Sequence, residues 1–250
     1  MDSRTAHASC ATGDTAAVNS DAGRARSPSG RPRGFFLTFE GIEGSGKSTH
    51  ARRIGKHLQE AGYRVFLTRE PGGTALGEAL RSVLLDPGVE TPVPEAELFI
   101  ILAARAQHVR RRILVHLDKG EIVISDRFSE ASLAYQGGGR GMGLEAVRAA
   151  DRLATGGLAS DLTILCDLPV DDALGRVHAR QRQGGEVNRF DREALDFHES
   201  VRRTYLELAR LEPERIVVVE TSGTEDEVAE RILRAVEPRL MEGRAEGAII

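Results

Sequence analysis

The chain has 250 residues, of which 40% are hydrophobic and 29% charged, a composition typical of one globular domain or two. Its 34 basic and 38 acidic side chains give a formal charge of -4, so the chain lacks the excess of positive charge typical of a nucleic acid binder. No apolar run is long enough to cross a bilayer, and the N-terminal segment lacks the apolar middle region of a signal peptide, so we expect a cytoplasmic protein without membrane contact.

The first 33 residues differ in composition from the rest. They are rich in Ala, Ser, Gly, Asp and Arg, and Met1 and Val18 are their only large aliphatic side chains. Such a segment cannot bury enough apolar surface to offset its ordering entropy, so we expect residues 1–33 to be a disordered extension. We expect residues 34–241 to form one domain and residues 242–250 to be a frayed tail.

Short apolar runs alternate along the chain with amphipathic patterns. The runs predict strands at 35–39, 64–68, 121–125, 161–167 and 216–219. The amphipathic patterns predict helices at 51–61, 74–85, 95–117, 144–153, 170–181 and 195–211, with a last helix opened by the capping box at 224–227. This alternation is typical of an α/β fold with a parallel sheet covered on both faces. Cys166, inside the fourth run, is expected to be a buried thiol in a reducing compartment.

A phosphate-binding motif follows the first predicted strand. The sequence Gly-Ile-Glu-Gly-Ser-Gly-Lys-Ser at 41–48 fits G-x-x-x-x-G-K-[ST], and a predicted helix comes directly after it. Glycines let backbone N–H groups converge on phosphate oxygens, and we expect Lys47 to reach the β and γ phosphates and Ser48 to bind Mg²⁺. The residues predicted to hold the nucleoside triphosphate, most simply ATP, are Gly41, Ile42, Glu43, Gly44, Ser45, Gly46, Lys47, Ser48 and Thr49.

The phosphate loop fixes the donor and leaves the acceptor open. A GTPase would carry a guanine-selecting Asn-Lys-x-Asp after a strand, and the chain has no such sequence. The loop alone is compatible with three classes of protein: a kinase that phosphorylates a nucleoside monophosphate, a kinase that phosphorylates a nucleoside, and a P-loop ATPase that drives a conformational switch.

Three further motifs narrow the acceptor. Thr-Arg-Glu-Pro-Gly-Gly-Thr occupies 68–74, Ala-Ala-Arg-Ala-Gln-His occupies 103–108, and Asp-Arg-Phe begins at Asp126 and leads to Ala-Tyr-Gln-Gly-Gly-Gly at 134–139. With Phe-Glu-Gly-Ile-Glu-Gly-Ser-Gly-Lys-Ser-Thr at 39–49, the sequence closely resembles the bacterial type of thymidylate kinase, over about residues 35–236.

The resemblance implies a fold and a reaction. It implies a P-loop kinase three-layer sandwich whose five parallel strands are ordered 2-3-1-4-5. It implies transfer of the γ-phosphoryl of ATP to dTMP, giving dTDP, with Mg²⁺ as the metal and a homodimer as the assembly. No covalent intermediate is required, because the acceptor phosphate is itself the nucleophile.

The resemblance also implies residue roles. Glu43 stands where a carboxylate lies beside the acceptor sugar, Arg127 where an arginine grips the acceptor phosphate, and Tyr135 where a ring crowds the 2′ position. Asp126 is expected near the metal, with Ser48. The residues expected to bind the acceptor are Glu43, Arg69, Glu70, Pro71, Ile101, Arg105, Arg127, Ser132, Tyr135 and Gln136, with Arg105 and Ser132 at the thymine edge.

Each side chain also admits a structural role. Glu43 could be a solvated loop acid, and Asp126 and Arg127 could simply pair with each other at the strand end. Tyr135 could be core packing, and Arg105 could be a surface cation one helical turn from Ile101.

A basic, glycine-punctuated segment at about 176–190 is expected to form a lid. Because residues 41–49 contain Lys47 as their one cation, the lid must supply a second charge to the transferring phosphoryl group. Arg182, directly before Gln183, is the predicted catalytic arginine of the lid, with Arg180 as the alternative. The catalytic set is therefore Lys47, Arg127 and Arg182.

Two positions depart from the family pattern. Ile101 stands where an aromatic residue usually stacks on thymine, which predicts weaker binding of the base. The lid carries an extra residue and reads Asn-Arg-Phe-Asp at 188–191, which leaves the choice of lid arginine open.

Overall fold

A computed structural model describes residues 34–86, 88–184 and 189–245 of the chain. The predictions for residues 1–33 and for the end of the C-terminal tail therefore lie outside the described residues, as does the centre of the predicted lid. The strands are β1 (Phe35–Glu40), β2 (Val65–Arg69), β3 (Ile122–Asp126), β4 (Leu162–Asp167) and β5 (Ile216–Glu220). They form one parallel sheet in the order β2-β3-β1-β4-β5, which confirms the predicted fold class and strand order.

Helices cover both faces of the sheet. The longer helices are α1 (Lys47–Glu60), α2 (Ala75–Leu85), α3 (Pro94–His108), α6 (Leu144–Thr155), α7 (Val170–Arg182), α8 (Leu195–Leu211) and α9 (Glu225–Ala245). Two single-turn helices, α4 (Leu114–Leu117) and α5 (Ser129–Ser132), adjoin π-helical turns, and a short 3₁₀ turn spans Arg189–Arg192. The predicted capping box opens α9, since the Thr224 amide donates to Glu227 Oε2 at 2.8 Å and the Glu227 amide donates to Thr224 Oγ1 at 3.3 Å.

Alternation along β1 divides the core between the two faces. Phe35, Leu37 and Phe39 pack with Ile54 and other apolar residues of α1 and α9. Phe36, one position on, packs on the opposite face against the π turn and α4. By the same two-residue alternation, Glu40, the last residue of β1, lies on this second face, where it is fully buried.

The long helical pattern predicted at 95–117 is interrupted. A π-helical turn at Val109–Ile113 joins α3 to α4. Val109, Ile113 and Leu117, spaced four residues apart, are fully buried against Phe36 and Val123 of the sheet. Residues four positions apart lie on one face of a helix, so this side of the segment packs on the sheet continuously through the wider π turn.

A second π-helical turn, Leu133–Gly139, carries residues into the candidate site. Its glycines let it lie directly on α8: a Cβ on Gly138 would be 2.0 Å from Thr204 Oγ1, and one on Gly139 would be 2.6 Å from the Phe197 ring. Sequence reasoning assigned this segment no secondary structure. The close packing of this turn on α8 fixes the position of Tyr135, which lies one turn before these glycines.

The last helix is longer than the sequence predicts. α9 continues to Ala245, four residues into the segment 242–250 that was expected to fray. Val236 and Leu240 are buried against the sheet, and Gly243, one turn further on, is still buried.

Replacing Gly138 with alanine should destabilise the domain. The new methyl group would overlap Thr204 and force apart the π turn and α8, at a cost of about 1–3 kcal/mol for an overpacked site. Gly175→Ala is the matched control, because that glycine lies within α7 with nothing inside 4 Å of an added Cβ. Urea unfolding of both variants measures the difference, and equal midpoints would contradict the close approach.

Candidate active site

The predicted phosphate loop connects β1 to α1. Gly41, Gly44 and Gly46 have positive φ angles of 138°, 78° and 86°, which glycine adopts without steric cost. A Cβ on Gly44 would lie 2.0 Å from the carbonyl oxygen of Ala173, so no larger residue fits there. The first turn of α1 contains no acidic residue. The loop and the free helix N-terminus therefore present backbone donors to an anion.

Lys47 lies at the floor of this loop. Its side chain is 8% exposed, and its Nζ donates to the Ile42 carbonyl at 3.1 Å. Burial, and then the positive charge of Arg127, lower the pKa of Lys47. An anion bound in the loop would reverse this effect by stabilising the ammonium form.

A cavity of about 600 Å³ extends over the loop. It is lined by the loop residues Glu43, Gly44 and Gly46–His50, by Arg69, Glu70, Arg81, Asp126 and Arg127, by Arg176 and Arg180 of α7, and by Thr221, Gly223–Glu225 and Val228. The sequence reasoning did not include Arg81 or the segment after β5. A cavity of this size, with several cations, suits the phosphates of a nucleotide.

Arg127 is the centre of the site. It follows β3 with a φ of 75°, in the left-handed region that non-glycine residues rarely adopt. Its NH2 group donates to Glu43 Oε1 at 2.8 Å and to Tyr135 Oη at 3.0 Å, and its NH1 group donates to Tyr205 Oη at 3.2 Å. Tyr135 in turn donates to Glu43 Oε2 at 2.6 Å. Burial opposes ionisation of Arg127, but Tyr135 and Glu43 raise its pKa well above its usual value.

Glu43 is therefore not a solvated acid. Its side chain is 11% exposed, and although burial raises the pKa, Arg127 and Lys47 bring the pKa of Glu43 below its ordinary value. The carboxylate is ionised and held between an arginine and a tyrosine. Arg127 forms its ion pair with Glu43, and the Oδ1 atom of neighbouring Asp126 is buried without a hydrogen-bond partner in the described part of the chain.

Two residues that the sequence reasoning did not assign support Arg127 from below. Tyr205 of α8 donates to Glu40 Oε2 at 2.7 Å, and the amide of Phe128 donates to Glu40 Oε1 at 2.6 Å. Burial, followed by the nearby Glu130, raises the pKa of Glu40 to about 8. Because Glu40 and Tyr205 are 165 positions apart in the chain, no local sequence signal could have paired them.

A second, smaller pocket of about 90 Å³ adjoins the cavity. Its lining combines apolar and polar side chains: Glu70, Pro71, Arg81, Leu84, Leu85, Ile101, Arg105, Arg127, Ala131, Ser132, Tyr135, Gln136 and Phe190. Eight of these were predicted acceptor-binding residues. Of the other predictions, Arg69 lines the larger cavity and donates to Glu78 Oε2 at 2.7 Å, and Glu43 also lines the larger cavity. Leu84, Leu85 and Phe190 were missed, because their apolar types indicate core packing in a sequence.

Arg105 lies beneath the smaller pocket and is not a surface cation. Its side chain is 1% exposed. Its Nε donates to Glu70 at 2.6 Å, and its NH1 group donates to Asp151 at 2.6 Å and to Ser132 Oγ at 2.9 Å. Burial opposes its charge, but Glu70 and Asp151 raise its pKa. Arg105 thus fixes Ser132 and Glu70 at the pocket wall.

Gln136 lines the smaller pocket and carries a buried acceptor without a partner in the part of the chain that the structure describes. Its Nε2 donates to Glu97 Oε1 at 2.8 Å, which fixes the orientation of the amide. Its Oε1 is buried and has no hydrogen-bond partner in the described residues. A ligand donor would therefore satisfy a polar atom whose desolvation is otherwise uncompensated.

The arginines of the predicted lid occupy different environments. Arg180 lines the larger cavity and lies 3.7 Å from Asp191. Arg182, the predicted catalytic residue, is exposed and does not line that cavity. Arg176 lines it and donates to the Thr221 carbonyl at 3.0 Å. Arg189 is 8% exposed and paired with Glu97 away from the loop.

Known proteins match this chain over nearly all of its described length. The family model for thymidylate kinase matches residues 39–232. The chain is 50% identical over 205 residues to the thymidylate kinase of Nitratidesulfovibrio vulgaris, covering 81% of this chain and 95% of that protein. It is 48% identical to the thymidylate kinase of Pelobacter propionicus, covering 81% of this chain and 94% of the relative.

The fold matches as well. A crystal structure of thymidylate kinase from Ehrlichia chaffeensis superimposes with a TM-score of 0.66 at 28% identity, and the match covers 82% of this chain and 100% of that one. Among the helices of the described residues, none is both long enough and apolar enough to span a bilayer. These matches decide between the reaction classes that the phosphate loop alone leaves open. The chain belongs to the thymidylate kinase family, and it phosphorylates dTMP to dTDP with ATP as the donor.

Proposed function

We propose that the larger cavity holds the ATP phosphates and that the smaller pocket holds the thymine base, with the phosphate of dTMP between them. The observation that supports this assignment is that the two cavities share part of their walls. Glu70, Arg81 and Arg127 line both of them. Two arginines at this junction suit a dianionic acceptor phosphate that must face the γ-phosphoryl group. We therefore assign the grip on the acceptor phosphate to Arg127, as the sequence predicts, and add Arg81.

The reaction needs alignment and charge more than acid–base catalysis. An oxygen of the dTMP phosphate forms a bond to the γ-phosphorus while the bond to the β,γ-bridging oxygen breaks, which leaves ADP. Charge spreads over the three equatorial oxygens during transfer. Lys47 on one side and a lid arginine on the other are the groups that we assign to stabilise it.

We assign recognition of the nucleoside to the walls of the smaller pocket. Ser132, held by Arg105, and the unpartnered Oε1 of Gln136 are the polar groups for the thymine edge. Pro71 and Ile101 supply apolar walls. Glu43 lies with Tyr135 beside Arg127, so a sugar bound between base and phosphate would meet this pair.

We assign Mg²⁺ to Ser48 and Asp126. These residues line the same cavity, and the buried, unpartnered Oδ1 of Asp126 is an oxygen suited to a hard cation or its waters. Among the described residues, no group of three or more His, Cys, Asp or Glu side chains could hold a metal ion alone. Few protein ligands are typical of Mg²⁺ bound with substrate phosphates, whose charge the ion neutralises.

We further propose a homodimer through α3 and α6. These helices pack side by side, and they expose Val93 at the start of α3, Phe99 within it and Leu153 on α6, which are 63%, 64% and 83% exposed. Large apolar side chains that are exposed on adjoining helices commonly mark protein–protein interfaces.

We infer a reducing, cytoplasmic compartment from the thiol of Cys166. This cysteine is free and buried in β4, and burial raises its pKa to about 12. Free buried cysteines are usual in proteins of reducing compartments.

Replacing Lys47 tests the assignment of the larger cavity. Lys47→Met removes the one cation of the phosphate loop while its stem still fills the buried site, so we expect kcat to fall about 100-fold or more. The measurement is ADP release in a coupled assay across a panel of nucleoside monophosphates. Wild type should prefer dTMP, and a folded variant with near-normal turnover would remove the loop from the reaction.

Replacing each of the two candidate lid arginines, Arg180 and Arg182, should lower kcat by different amounts. Arg180 lines the cavity, so Arg180→Ala should lower kcat about 100-fold while the calorimetric Kd for dTMP stays constant, the pattern of an interaction made in the transition state. Arg182→Ala is the matched comparison on the same helix. A larger loss for Arg182→Ala would instead assign catalysis to Arg182, as the sequence predicts, and would require the lid to close further.

Disrupting the apolar surface should yield monomers. Phe99→Glu places a charge at the centre of the proposed interface, so we expect the sedimentation coefficient to change from that of a dimer to that of a monomer. Met241→Glu is the control, because Met241 is 66% exposed on α9, which packs on α1. A wild-type protein that sediments as a monomer at micromolar concentration would contradict the proposal.

A further inference from the structure

The smaller pocket contains an aromatic residue that the sequence reasoning did not include. Ile101 stands where the resemblance leads us to expect an aromatic side chain, so α3 offers the base no ring. Phe190, from the 3₁₀ turn Arg189–Arg192, lines the same pocket and is 8% exposed. The aromatic surface is therefore supplied from the far end of the lid segment.

The ring of Phe190 is held by neighbouring aromatic and cationic groups. It packs edge-on against Tyr135, with ring centroids 5.7 Å apart and planes at 88°. The guanidinium of Arg189 lies 4.7 Å from its centroid, and that of Arg140 lies 5.9 Å away. Cations over a ring face favour a fixed orientation of that ring.

A buried carboxylate anchors this turn to α3. Glu97 is fully buried, and its Oε2 accepts from Arg189 at 2.6 Å and from Arg140 at 3.1 Å. Arg189 also donates through Nε to the Leu84 carbonyl at 3.2 Å, next to the pocket wall. Removing one partner from such a buried network is costly, so the network strongly favours one position of the turn.

We propose that Phe190 is the aromatic wall against which the pyrimidine base of the acceptor packs, and that the pair of Arg189 with Glu97 positions it there. Ile101 and Phe190 belong to different elements and line one small pocket, so a ring on either can cover a base between them. The anchoring contacts are all within the protein, so they do not draw on the binding free energy of the nucleotide. This inference rests on the proposed placement of thymine in the smaller pocket.

Substituting Phe190 tests the base contact. Phe190→Leu keeps an apolar side chain but removes the ring, so the calorimetric Kd and the KM for dTMP should rise about tenfold, within the range found for losing one base–aromatic stack. The KM for ATP should stay within twofold. Phe197→Leu is the matched control: Phe197 is 9% exposed and packs on Tyr135 at 6.0 Å, but it does not line the pocket.

A second substitution distinguishes a base contact from core packing. Adding Ile101→Phe to Phe190→Leu returns a ring to the pocket from the other wall, so affinity for dTMP should recover by severalfold, whereas lost packing around Phe190 would not be repaired. If Phe190→Leu lowers only the melting temperature and leaves the Kd for dTMP unchanged, the inference is wrong.

The positioning role of Arg189 has its own test. Arg189→Met should weaken dTMP binding about as much as Phe190→Leu, and the double variant should be no weaker than either single one, because both act through one ring. Additive losses would separate Arg189 from Phe190 and overturn the positioning role. If Ser132→Ala as well as Phe190→Leu leaves the Kd for dTMP unchanged, the proposed placement of thymine in the smaller pocket is itself wrong.

Discussion

The site depends on one backbone constraint, the left-handed conformation of Arg127. A non-glycine residue at a φ of 75° is disfavoured by roughly 1–2 kcal/mol and persists only where its surroundings fix it. Three hydrogen bonds do so: the Arg127 amide donates to Phe39, Ser125 Oγ donates to the Arg127 carbonyl, and the Phe128 amide donates to Glu40. The resulting turn directs the guanidinium back over the end of β1 to Glu43 of the phosphate loop.

Parallel pairing makes this arrangement possible. Phe39 pairs with Asp126 and Arg69 pairs with Asp126 in the sheet register, so the ends of three strands deliver polar residues to one edge. Crevices at the carboxyl ends of parallel strands are where ligands bind in α/β sheets. The phosphate loop leaves β1 at this edge, and Arg127 leaves β3 beside it. Donor and acceptor sites therefore meet because adjacent strands end together.

Local patterns in the sequence predicted much of the fold and of the phosphate loop. Contacts between residues far apart in the chain could not be predicted from such patterns. The phosphate loop is encoded within eight consecutive residues, and the strands by short apolar runs, so both were predicted within a residue or two. The role of Glu40 depends on Tyr205, far along the chain, and that of Phe190 on its neighbour Arg189 reaching Glu97. Arg105 shows the same limit. Its position on a helix permits a surface cation, and only the fold brings Glu70 and Asp151 to it.

The cations of the two sites differ in how their charge is balanced, which bears on how two polyanions can be bound. Arg105 and Arg189 are buried and paired with carboxylates, which offset the desolvation cost of their charges. Arg176 is exposed on the donor side, where its guanidinium donates to a backbone carbonyl and not, among the described residues, to a carboxylate. Lys47 likewise contacts a carbonyl, and its lowered pKa reflects burial and Arg127. Bound phosphates would supply the missing negative charge. A chain of net charge -4 can therefore attract ATP, because Lys47, Arg81 and Arg176, which line the larger cavity, donate to backbone carbonyls and, within the part of the chain that the structure describes, not to carboxylates.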